Sequence, residues 1–394
     1  MTFMPTRRAV IAGASAAMAF RSVAASAYAS PSRHPGAAKA SQLSRQLFGS
    51  RQAPALSLAV ARTDRLVWAE ALGRVDVEFG VAATPRHTFR LGSVSKVVTA
   101  TAAARLVARG MLDLDAPISR WLQDLPELHR ATTMRQLLTH RGGVRHYGPK
   151  DFDVNGPGGP MYMRTYPTDQ DILALFINDP LVAPPGTRIS YSSYGYTLAS
   201  MVMQAVTGKE FRQLIHEEIG TPFGLSTLVD DDPWMIQPLR ARGYLNAQDL
   251  QLLSGSVPKG AWPKLTDGLA NIPLSNPAYC WAGAGFLMSP SDTARFGAAV
   301  LEGAGTKITA EERKLLFTPM TERTPQMPPL GLGWRLSPDP KGRPRYHHEG
   351  ATPGGRYALT VYPEQGLSIA IAGNVMNMML NVGKISSDLA DLFA

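Results

Sequence analysis

Apolar and polar residues alternate near both ends of the chain, and this alternation predicts β-strands. Residues 54–60 read PALSLAV and residues 65–73 read RLVWAEALG, with a polar turn at 62–64 between them, so we predict a β-hairpin. Further strand candidates follow one another late in the sequence, at 331–336, 345–349, 356–363 and 367–373. Strands are therefore expected at both ends of the chain.

Apolar residues at helical spacing dominate the middle of the chain. Residues 95–109 are rich in alanine and stop at Gly110, and residues 289–303 begin at a serine or aspartate cap and end at a glycine. Other predicted helices are 133–139, 168–178, 194–206, 208–219 and about 377–393. The simplest fold is of the α/β (α+β) class, an antiparallel sheet built from both ends and flanked by helices, with a mostly helical region inserted.

The first residues of the sequence have the features of an export signal. Arg7 and Arg8 precede an apolar stretch of small residues at 9–20, and residues 27–29 read Ala-Tyr-Ala, with small residues where a signal peptidase reads them. This segment resembles a twin-arginine signal, which predicts an exported protein, periplasmic or extracellular, whose mature chain begins near Ser30. The alternative is a terminal segment that carries two arginines by chance.

Composition shifts then divide the chain into predicted parts. Residues 1–29 are the predicted signal, and residues 30–42, rich in Ser, Pro and Ala, are the predicted linker. Residues 43–394 form one predicted domain. Its α/β part covers about 43–125 and 280–394, and its helical insertion covers about 126–279.

Composition and charge exclude several classes of protein. Of 394 residues, 44% are hydrophobic and 18% are charged, which is typical of a globular protein. The net charge is +9, but lysine and arginine are scattered, so we predict no nucleic-acid partner. No run of 18 apolar residues occurs, so no membrane segment is predicted in the mature chain. Cys280 is the sole cysteine, which excludes an intrachain disulfide and a cysteine metal cluster, and we predict that it is buried.

A serine and a lysine at the start of the alanine-rich helix are candidates for catalysis. Ser93 and Lys96 are three residues apart, which puts them on one face of a helix. Serine needs an adjacent base to act as a nucleophile, and a desolvated lysine can be that base. The amides at a helix N-terminus suit a developing oxyanion. A second pair at this spacing, Ser256 and Lys259, lies in a Pro/Gly-rich loop and is interpreted as chance.

Two further segments supply polar groups that complement this pair. Tyr191, in the sequence YSS after a Pro-Gly turn, carries a phenol that can shuttle a proton beside a lysine. His348 lies on a predicted strand that runs into Gly350, where a glycine lets a substrate backbone approach the strand edge. Each of these residues, taken singly, is also compatible with a structural role.

Together and in this order, Ser-x-x-Lys, Tyr-x-Ser and His-x-Gly resemble the motifs of the serine penicillin-recognising superfamily. This superfamily comprises class C-type β-lactamases, D-Ala-D-Ala carboxypeptidases, related esterases and β-lactamase-like serine proteases. The resemblance covers about residues 44–393, and the sequences GGVRHY and YSSYGYTL look most similar to the serine protease branch. It implies an enzyme that needs no metal and no cofactor.

The resemblance also implies a role for each site residue. Ser93 would be the acylated nucleophile, and Lys96 and Tyr191 would take its proton and return it to the leaving group. The amides of Ser93 and Ala351 would form the oxyanion hole. His348 would help to hold the Tyr191 phenolate and the substrate.

Two positions depart from the family pattern. Ser193 stands where asparagine is usual, and a serine lacks the paired donor and acceptor of an amide, so altered recognition of a substrate amide is expected. Glu349 stands where threonine is common, and an ionised glutamate would repel a substrate carboxylate. This departure argues against strong β-lactamase or carboxypeptidase activity unless Arg356, a few residues on, compensates for the charge.

The leading hypothesis is an exported serine hydrolase that acts through an acyl-enzyme on a small-molecule or peptide substrate, by cleaving a peptide, amide or ester bond. The alternative activity is that of a β-lactamase or D-Ala-D-Ala carboxypeptidase. The alternative from another class is a non-catalytic module on the same fold that binds peptides or peptidoglycan. The sequence has no Gly-x-Ser-x-Gly elbow and no His-Glu-x-x-His motif, which excludes an α/β-hydrolase and that kind of zinc hydrolase.

Overall fold

The structure is a computed structural model that describes residues 28–29, 34–49, 53–63, 65–253, 263–302, 307–378 and 381–394. The twin arginines of the predicted signal lie outside the described residues, and so do Ser256 and Lys259, whereas the last two residues of the predicted signal, Tyr28 and Ala29, form a strand. Within the described ranges, no helix is long and apolar enough to cross a membrane.

Strands occur in both terminal parts of the chain and, as short pairs, in its middle. In chain order they are β1 (Tyr28–Ala29), β2 (Ala55–Arg62), β3 (Arg65–Asp76), β4 (Val81–Ala82), β5 (Phe89–Arg90), β6 (Val229–Asp230), β7 (Tyr244–Leu245), β8 (Ala270–Asn271), β9 (Phe286–Met288), β10 (Arg335–Pro338), β11 (Pro344–Thr352), β12 (Gly355–Tyr362) and β13 (Leu367–Gly373).

Helices fill most of the region between these strands and flank the sheet. In chain order they are α1 (Ala37–Gly49), α2 (Ser95–Ala108), α3 (Glu127–Arg130), α4 (Met134–Leu138), α5 (Asp169–Leu173), α6 (Ser193–Thr207), α7 (Phe211–Ile215), α8 (Thr221–Phe223), α9 (Ala247–Leu252), α10 (Trp281–Ala284), α11 (Pro290–Glu302), α12 (Ala310–Phe317) and α13 (Val382–Phe393).

The main sheet is antiparallel and joins strands from the two ends of the chain, as predicted. Its order is β1-β3-β2-β13-β12-β11-β10, with β4 paired to β3. The predicted hairpin is β2–β3. Strand β13 pairs with β2, so that Ala370 lies opposite Ala59 although the two residues are far apart in the sequence. This pairing confirms the predicted α/β (α+β) class.

Side-chain size differs between the two faces of the central strands. Ala59 and Ala370 belong to the core that contains α11, whereas Leu58 and Ile369 belong to a second core formed with α1 and α13. Because successive side chains of a strand point to opposite faces, one apolar strand contributes to both cores. Small residues on one face allow α11 to approach the sheet closely.

Helix α2 lies at the centre of the larger core and positions the residues before it. Eleven of its residues are buried, and a 3-10 turn at Gly92–Val94 leads directly into it. The alanines of α2 let α10 and α12 pack against it. The predicted helix at 95–109 is therefore confirmed, and it is a buried helix rather than a surface one.

Several predicted boundaries differ from the structure. The predicted linker at 30–42 is wrong over residues 37–42, because α1 begins at Ala37 and packs the buried Ala40 and Ser44 beside β3. The strand predicted at 331–336 is β10, which begins only at Arg335. Gly333 has a φ of 74°, which lies outside the range of a β-strand, and an added Cβ there would lie 2.7 Å from the Cβ of Ala100, so the position suits glycine.

Three predicted helices are shorter than expected. The helix predicted at 168–178 ends at Leu173, and the helix predicted at about 377–393 begins at Val382. The helix predicted at 208–219 is α7 followed by a π-helical turn, His216–Gly220. The short strands β6, β7 and β8 lie within the region predicted as a mostly helical insertion.

Gly297 of α11 gives a test of the close approach between this helix and the sheet. A Cβ at this position would lie 2.2 Å from Ser368 Oγ and 2.9 Å from side-chain atoms of Leu359 and Val361. We expect Gly297→Ala to lower the free energy of unfolding by about 1–3 kcal/mol, because overpacking forces neighbours apart. Urea denaturation followed by circular dichroism measures this change.

Gly49→Ala is the matched control, because a Cβ at Gly49 would meet nothing within 4 Å. We expect this variant to change the free energy of unfolding by no more than about 0.5 kcal/mol. Equal stability of the Gly297→Ala variant and the wild type would contradict the packing described here.

Candidate active site

The serine, lysine and tyrosine singled out in the sequence meet at the N-terminal end of α2. Ser93 lies in the 3-10 turn that precedes the helix. Lys96 Nζ donates a hydrogen bond to Ser93 Oγ at 3.1 Å, and the Tyr191 hydroxyl donates to the same atom at 2.8 Å. Two groups that can exchange protons therefore contact one hydroxyl oxygen.

Lys96 is buried, and each of its ammonium protons has an acceptor. Besides Ser93 Oγ, its Nζ donates to Ser193 Oγ at 3.0 Å and to the carbonyl oxygen of Gly283 at 2.9 Å. An ammonium group has three donors and no acceptor, so this set of partners fits the charged form. The partners come from α6 and α10, which the fold brings to the start of α2.

Tyr191 lies in an environment that favours its phenolate. Burial raises the pKa of Tyr191, but the charge of Lys96, the hydrogen bonds with Lys96 and Ser93 and the charge of Arg335 together outweigh burial, so that the pKa lies below its usual range. The guanidinium carbon of Arg335 lies 5.9 Å from the centre of the Tyr191 ring. A phenol with a lowered pKa is better suited to accept a proton at neutral pH.

Two histidines that the sequence analysis did not single out hold the backbone next to Tyr191. His140 Nδ1 accepts a hydrogen bond from the Ser192 amide at 3.2 Å, and His146 Nδ1 accepts one from the Ser193 amide at the same distance. The centres of the two rings lie 4.3 Å and 5.3 Å from that of Tyr191. These histidines therefore fix the start of α6, and only the resemblance of the GGVRHY sequence pointed to one of them.

Both of these histidine rings are held in the neutral form. Burial and the charge of Lys96 keep the pKa of His140 well below its usual range. Partial desolvation and the same charge lower the pKa of His146 to about 4. Neutral rings are required here, because a protonated Nδ1 could not accept the amide hydrogen bonds.

Arg335 is a further site residue that the sequence analysis missed. It is the first residue of β10, and its charge helps to lower the pKa of Tyr191 and of His348. No spacing in the sequence connects Arg335 with either residue, because the contact depends on where β10 lies beside β11. Only the folded sheet brings this positive charge to the site.

His348 is buried on β11 and is neutral. Burial and the charges of Arg335 and Lys96 hold its pKa well below the usual range. Its Nδ1 donates to the carbonyl oxygen of Glu349 at 2.8 Å, which leaves Nε2 as an acceptor. Within the described residues, the hydrogen bond of His348 is therefore to this carbonyl, not to Tyr191, and its support of a phenolate stays a prediction.

Two glycines bring the edge of β11 against the turn that carries Ser93. A Cβ on Gly350 would lie 1.9 Å from the Leu91 carbonyl oxygen and 3.0 Å from the Ser93 amide nitrogen. A Cβ on Gly92 would lie 3.0 Å from the Ala351 amide nitrogen. The amides of Ser93 and Ala351, predicted as the oxyanion hole, therefore lie close to each other across this contact.

Glu349 is paired with Arg356 rather than left as a single charge. The Arg356 guanidinium donates a hydrogen bond to the Glu349 carboxylate between the adjacent strands β11 and β12. The two side chains are 30% and 32% exposed, so the pair lies at the surface of the site. Arg356 therefore compensates for the charge of Glu349, and Glu349 in turn opposes the charge of Arg356.

Next to Ser93 lies a pocket of about 250 Å³, whose lining includes the aromatic side chains of Tyr147, Phe152, Tyr162 and Tyr279. Ser193 and Ala351 also line it, and Gly350 and Glu349 lie beside Ala351 on β11. The buried Cys280 lines the pocket too, and burial raises the pKa of its thiol to about 12, so it is protonated at neutral pH. Among the described residues, no group of His, Cys, Asp and Glu is arranged to hold a metal ion.

Comparisons with known proteins agree with this fold and these motifs. The sequence matches the Beta-lactamase family over residues 40–384. It is 27% identical over 312 residues to the mitochondrial serine β-lactamase-like protein LACTB of Homo sapiens, a match that covers 64% of this chain and 54% of that protein. It is 32% identical over 175 residues to esterase EstB of Burkholderia gladioli, covering 42% of this chain and 44% of the esterase. The chain thus spans about half the length of these relatives.

A solved structure shows the likeness of the fold directly. The D-amino acid amidase from Ochrobactrum anthropi SV3, complexed with L-phenylalanine amide, superposes with a TM-score of 0.72 at 22% sequence identity. The superposition covers 88% of this chain and 96% of the amidase. Together with the family match over most of the sequence, this places the chain in the β-lactamase family of serine hydrolases.

Proposed function

We propose that this protein is an exported serine hydrolase that cleaves ester, amide or peptide bonds through an acyl-enzyme formed at Ser93. The observation that carries the proposal is the double contact at Ser93 Oγ, which lies 3.1 Å from Lys96 Nζ and 2.8 Å from the Tyr191 side-chain oxygen. A serine hydroxyl is a weak nucleophile until a neighbouring group takes its proton. The complete set of these side chains argues against a non-catalytic binding module.

In the proposed reaction, Ser93 Oγ attacks the substrate carbonyl carbon while its proton passes to the Tyr191 phenolate. The amides of Ser93 and Ala351 stabilise the oxyanion that forms. As the carbon–oxygen or carbon–nitrogen bond breaks, Tyr191 returns the proton to the leaving atom. Water then attacks the acyl carbon and gives one proton to Tyr191. The bond between Ser93 Oγ and the acyl carbon breaks, Tyr191 passes this proton to Ser93 Oγ, and the carboxylic acid leaves.

In this scheme Lys96 acts as a buried cation rather than as the proton acceptor. All three of its protons are donated to Ser93, Ser193 and Gly283, which supports an ammonium ion at rest. A positive charge beside a phenol stabilises the phenolate. Lys96 would therefore make Tyr191 a better base and orient the hydroxyl of Ser93.

The substrate class and the location of the protein rest on separate arguments. The relatives include a protein named as an esterase and one named as an amidase, which supports ester and amide substrates. The pairing of Glu349 with Arg356 favours such substrates over β-lactams and D-alanyl peptides, because Glu349 opposes the Arg356 charge that would otherwise attract their carboxylates. Export is inferred from Arg7 and Arg8 in the sequence.

Ser93→Ala tests the nucleophile. We expect this variant to lose ester hydrolysis by about 10³-fold or more, because the acyl-enzyme cannot form. It should also lose the covalent adduct that the wild type forms with a fluorophosphonate, measured by intact mass.

Ser95→Ala is the matched control two residues away. The Ser95 hydroxyl is buried and has no hydrogen-bond partner in the described residues, so its removal should leave both folding and adduct formation unchanged. An adduct on the Ser93→Ala variant would contradict the proposal, and so would a well-folded wild type that forms none.

The pH dependence of kcat/KM tests the role of Tyr191. Tyr191 is active only when deprotonated, so kcat/KM should rise with pH and level off above its pKa, which lies below that of a free tyrosine. Lys96→Met removes the positive charge and should move this rise to higher pH. Tyr191→Phe should abolish the rise and most of the activity. A rise at the same pH in the Lys96→Met variant would rule out the proposed coupling.

Glu349→Gln tests why a substrate carboxylate is disfavoured. The change leaves the Arg356 charge unopposed, so this charge can attract a substrate carboxylate. We compare the benzoyl thioester of mercaptoacetate, which has a free carboxylate, with the same thioester whose carboxylate is methylated. The ratio of their kcat/KM values should rise about fivefold in favour of the free carboxylate, as ~1 kcal/mol of attraction predicts at high dielectric. The control is the double variant with Arg356→Gln, which should lose the gain. No gain in the single variant would refute this explanation of the selectivity.

A further inference from the structure

The position, lining and volume of the pocket beside Ser93 indicate what kind of acyl group it can bind. We propose that it binds an uncharged aromatic acyl group of about one ring, which makes arylacyl esters and amides the preferred substrates; this inference rests on the proposed function. It adds a substrate class to the reaction at Ser93, and the shape, charge and position of the pocket each support it.

The position of the pocket relative to Tyr191 indicates which end of the substrate enters the pocket. Ser93, Ser193 and His146 line the pocket, whereas Tyr191 is not among the described residues that line it. Since Tyr191 must return a proton to the leaving atom, the leaving group has to extend on the Tyr191 side. The other substituent of the reacting carbonyl carbon, the acyl group, is then directed towards the pocket.

Four aromatic side chains are among the residues that line the pocket, and each of them lies close to at least one of the others. Tyr147 lies edge-on to Phe152 and to Tyr279, with ring centres 6.3 Å and 5.6 Å apart, and the rings of Phe152 and Tyr162 are 6.4 Å apart. Edge-to-face contacts at these distances are favourable between aromatic rings. The wall therefore offers ring edges and faces to one more aromatic group.

Among the described residues that line the pocket, the charged side chains are those of Arg90 and Asp231, which pair with each other, so neither is left as a counter-ion for a charged ligand. Arg90 Nε lies 2.8 Å from a carboxylate oxygen of Asp231, and the Arg90 guanidinium also donates to the Pro353 carbonyl oxygen at 3.0 Å. Transferring a charged group into an apolar site without a partner is costly, so an uncharged acyl group is favoured.

The volume of the pocket limits the size of the group. An engineered apolar cavity of about 150 Å³ is known to bind benzene, whereas sites for whole drug-sized ligands begin at about 300 Å³. The volume of about 250 Å³ lies between these values. It therefore suits a single ring with a short linker to the reacting carbonyl, as in a phenylacetyl group.

The test compares p-nitrophenyl esters of phenylacetic acid, acetic acid and succinic acid as a monoester. All three have the same leaving group, so differences in kcat/KM report the acyl group after correction for spontaneous hydrolysis. We expect the wild type to prefer phenylacetate to acetate and to the negatively charged succinate. Phe152→Ala should reduce the preference for phenylacetate over acetate by about tenfold, because one wall of the pocket is removed.

Two controls separate a local effect on the pocket from a loss of structure. Phe79→Ala makes the same chemical change at a side chain that is 81% exposed and outside the pocket, and it should leave the preference unchanged. Phe152→Leu keeps an apolar side chain and should have an intermediate preference. Fluorophosphonate labelling of Ser93 in each variant confirms that the reactive site is intact.

The outcomes distinguish the substrate class from the reaction itself. The aromatic acyl site is refuted if the wild type has the same kcat/KM for the acetate and succinate esters as for the phenylacetate ester, or if Phe152→Ala keeps the full preference for phenylacetate. The Ser93 hydrolase would stand in either case. If no ester is hydrolysed and Ser93 is not labelled, the proposed function itself fails.

Discussion

The buried ammonium group of Lys96 is the interaction on which the rest of the site depends. A charge inside a protein is costly unless hydrogen bonds replace its water shell. Here the replacement comes from Ser93 before α2, Ser193 on α6 and the Gly283 carbonyl on α10, three separate parts of the chain. Displacing any one of them would leave a buried ammonium proton without an acceptor. The same ammonium group thus joins the start of α2 to α6 and α10, and its charge helps to lower the pKa of Tyr191.

The sheet supplies the other half of the site through a steric constraint. Gly92 and Gly350 face one another where β11 meets the turn before α2, and neither contact leaves room for a Cβ without displacement. The antiparallel register then sets what lies beside Ala351, since Arg356 is its partner on β12. Strand β11 contributes its amides because two glycines let it come close, and the neighbouring strands decide which charges surround it.

The sequence was most informative where chemistry depends on local spacing. Ser93 and Lys96 are one helical turn apart, so a helix alone brings them to the same face. The alternating pattern of 54–60 and 65–73 predicted β2 and β3, and the glycine after residue 109 marked the end of α2. The same reasoning failed for β10, because Gly333 has a positive φ that interrupts the strand, and the alternation of apolar and polar residues does not reveal the conformation of a glycine.

The sequence alone therefore identified Ser93, Lys96 and Tyr191 as candidates for catalysis, and it predicted the class of fold. Tertiary structure decided their ionisation and surroundings. The lowered pKa of Tyr191 depends on Lys96 and Arg335, which are distant from it in the chain, and the start of α6 depends on His140 and His146. Electrostatic energy depends on distance and burial in space, and neither quantity can be read from the order of residues.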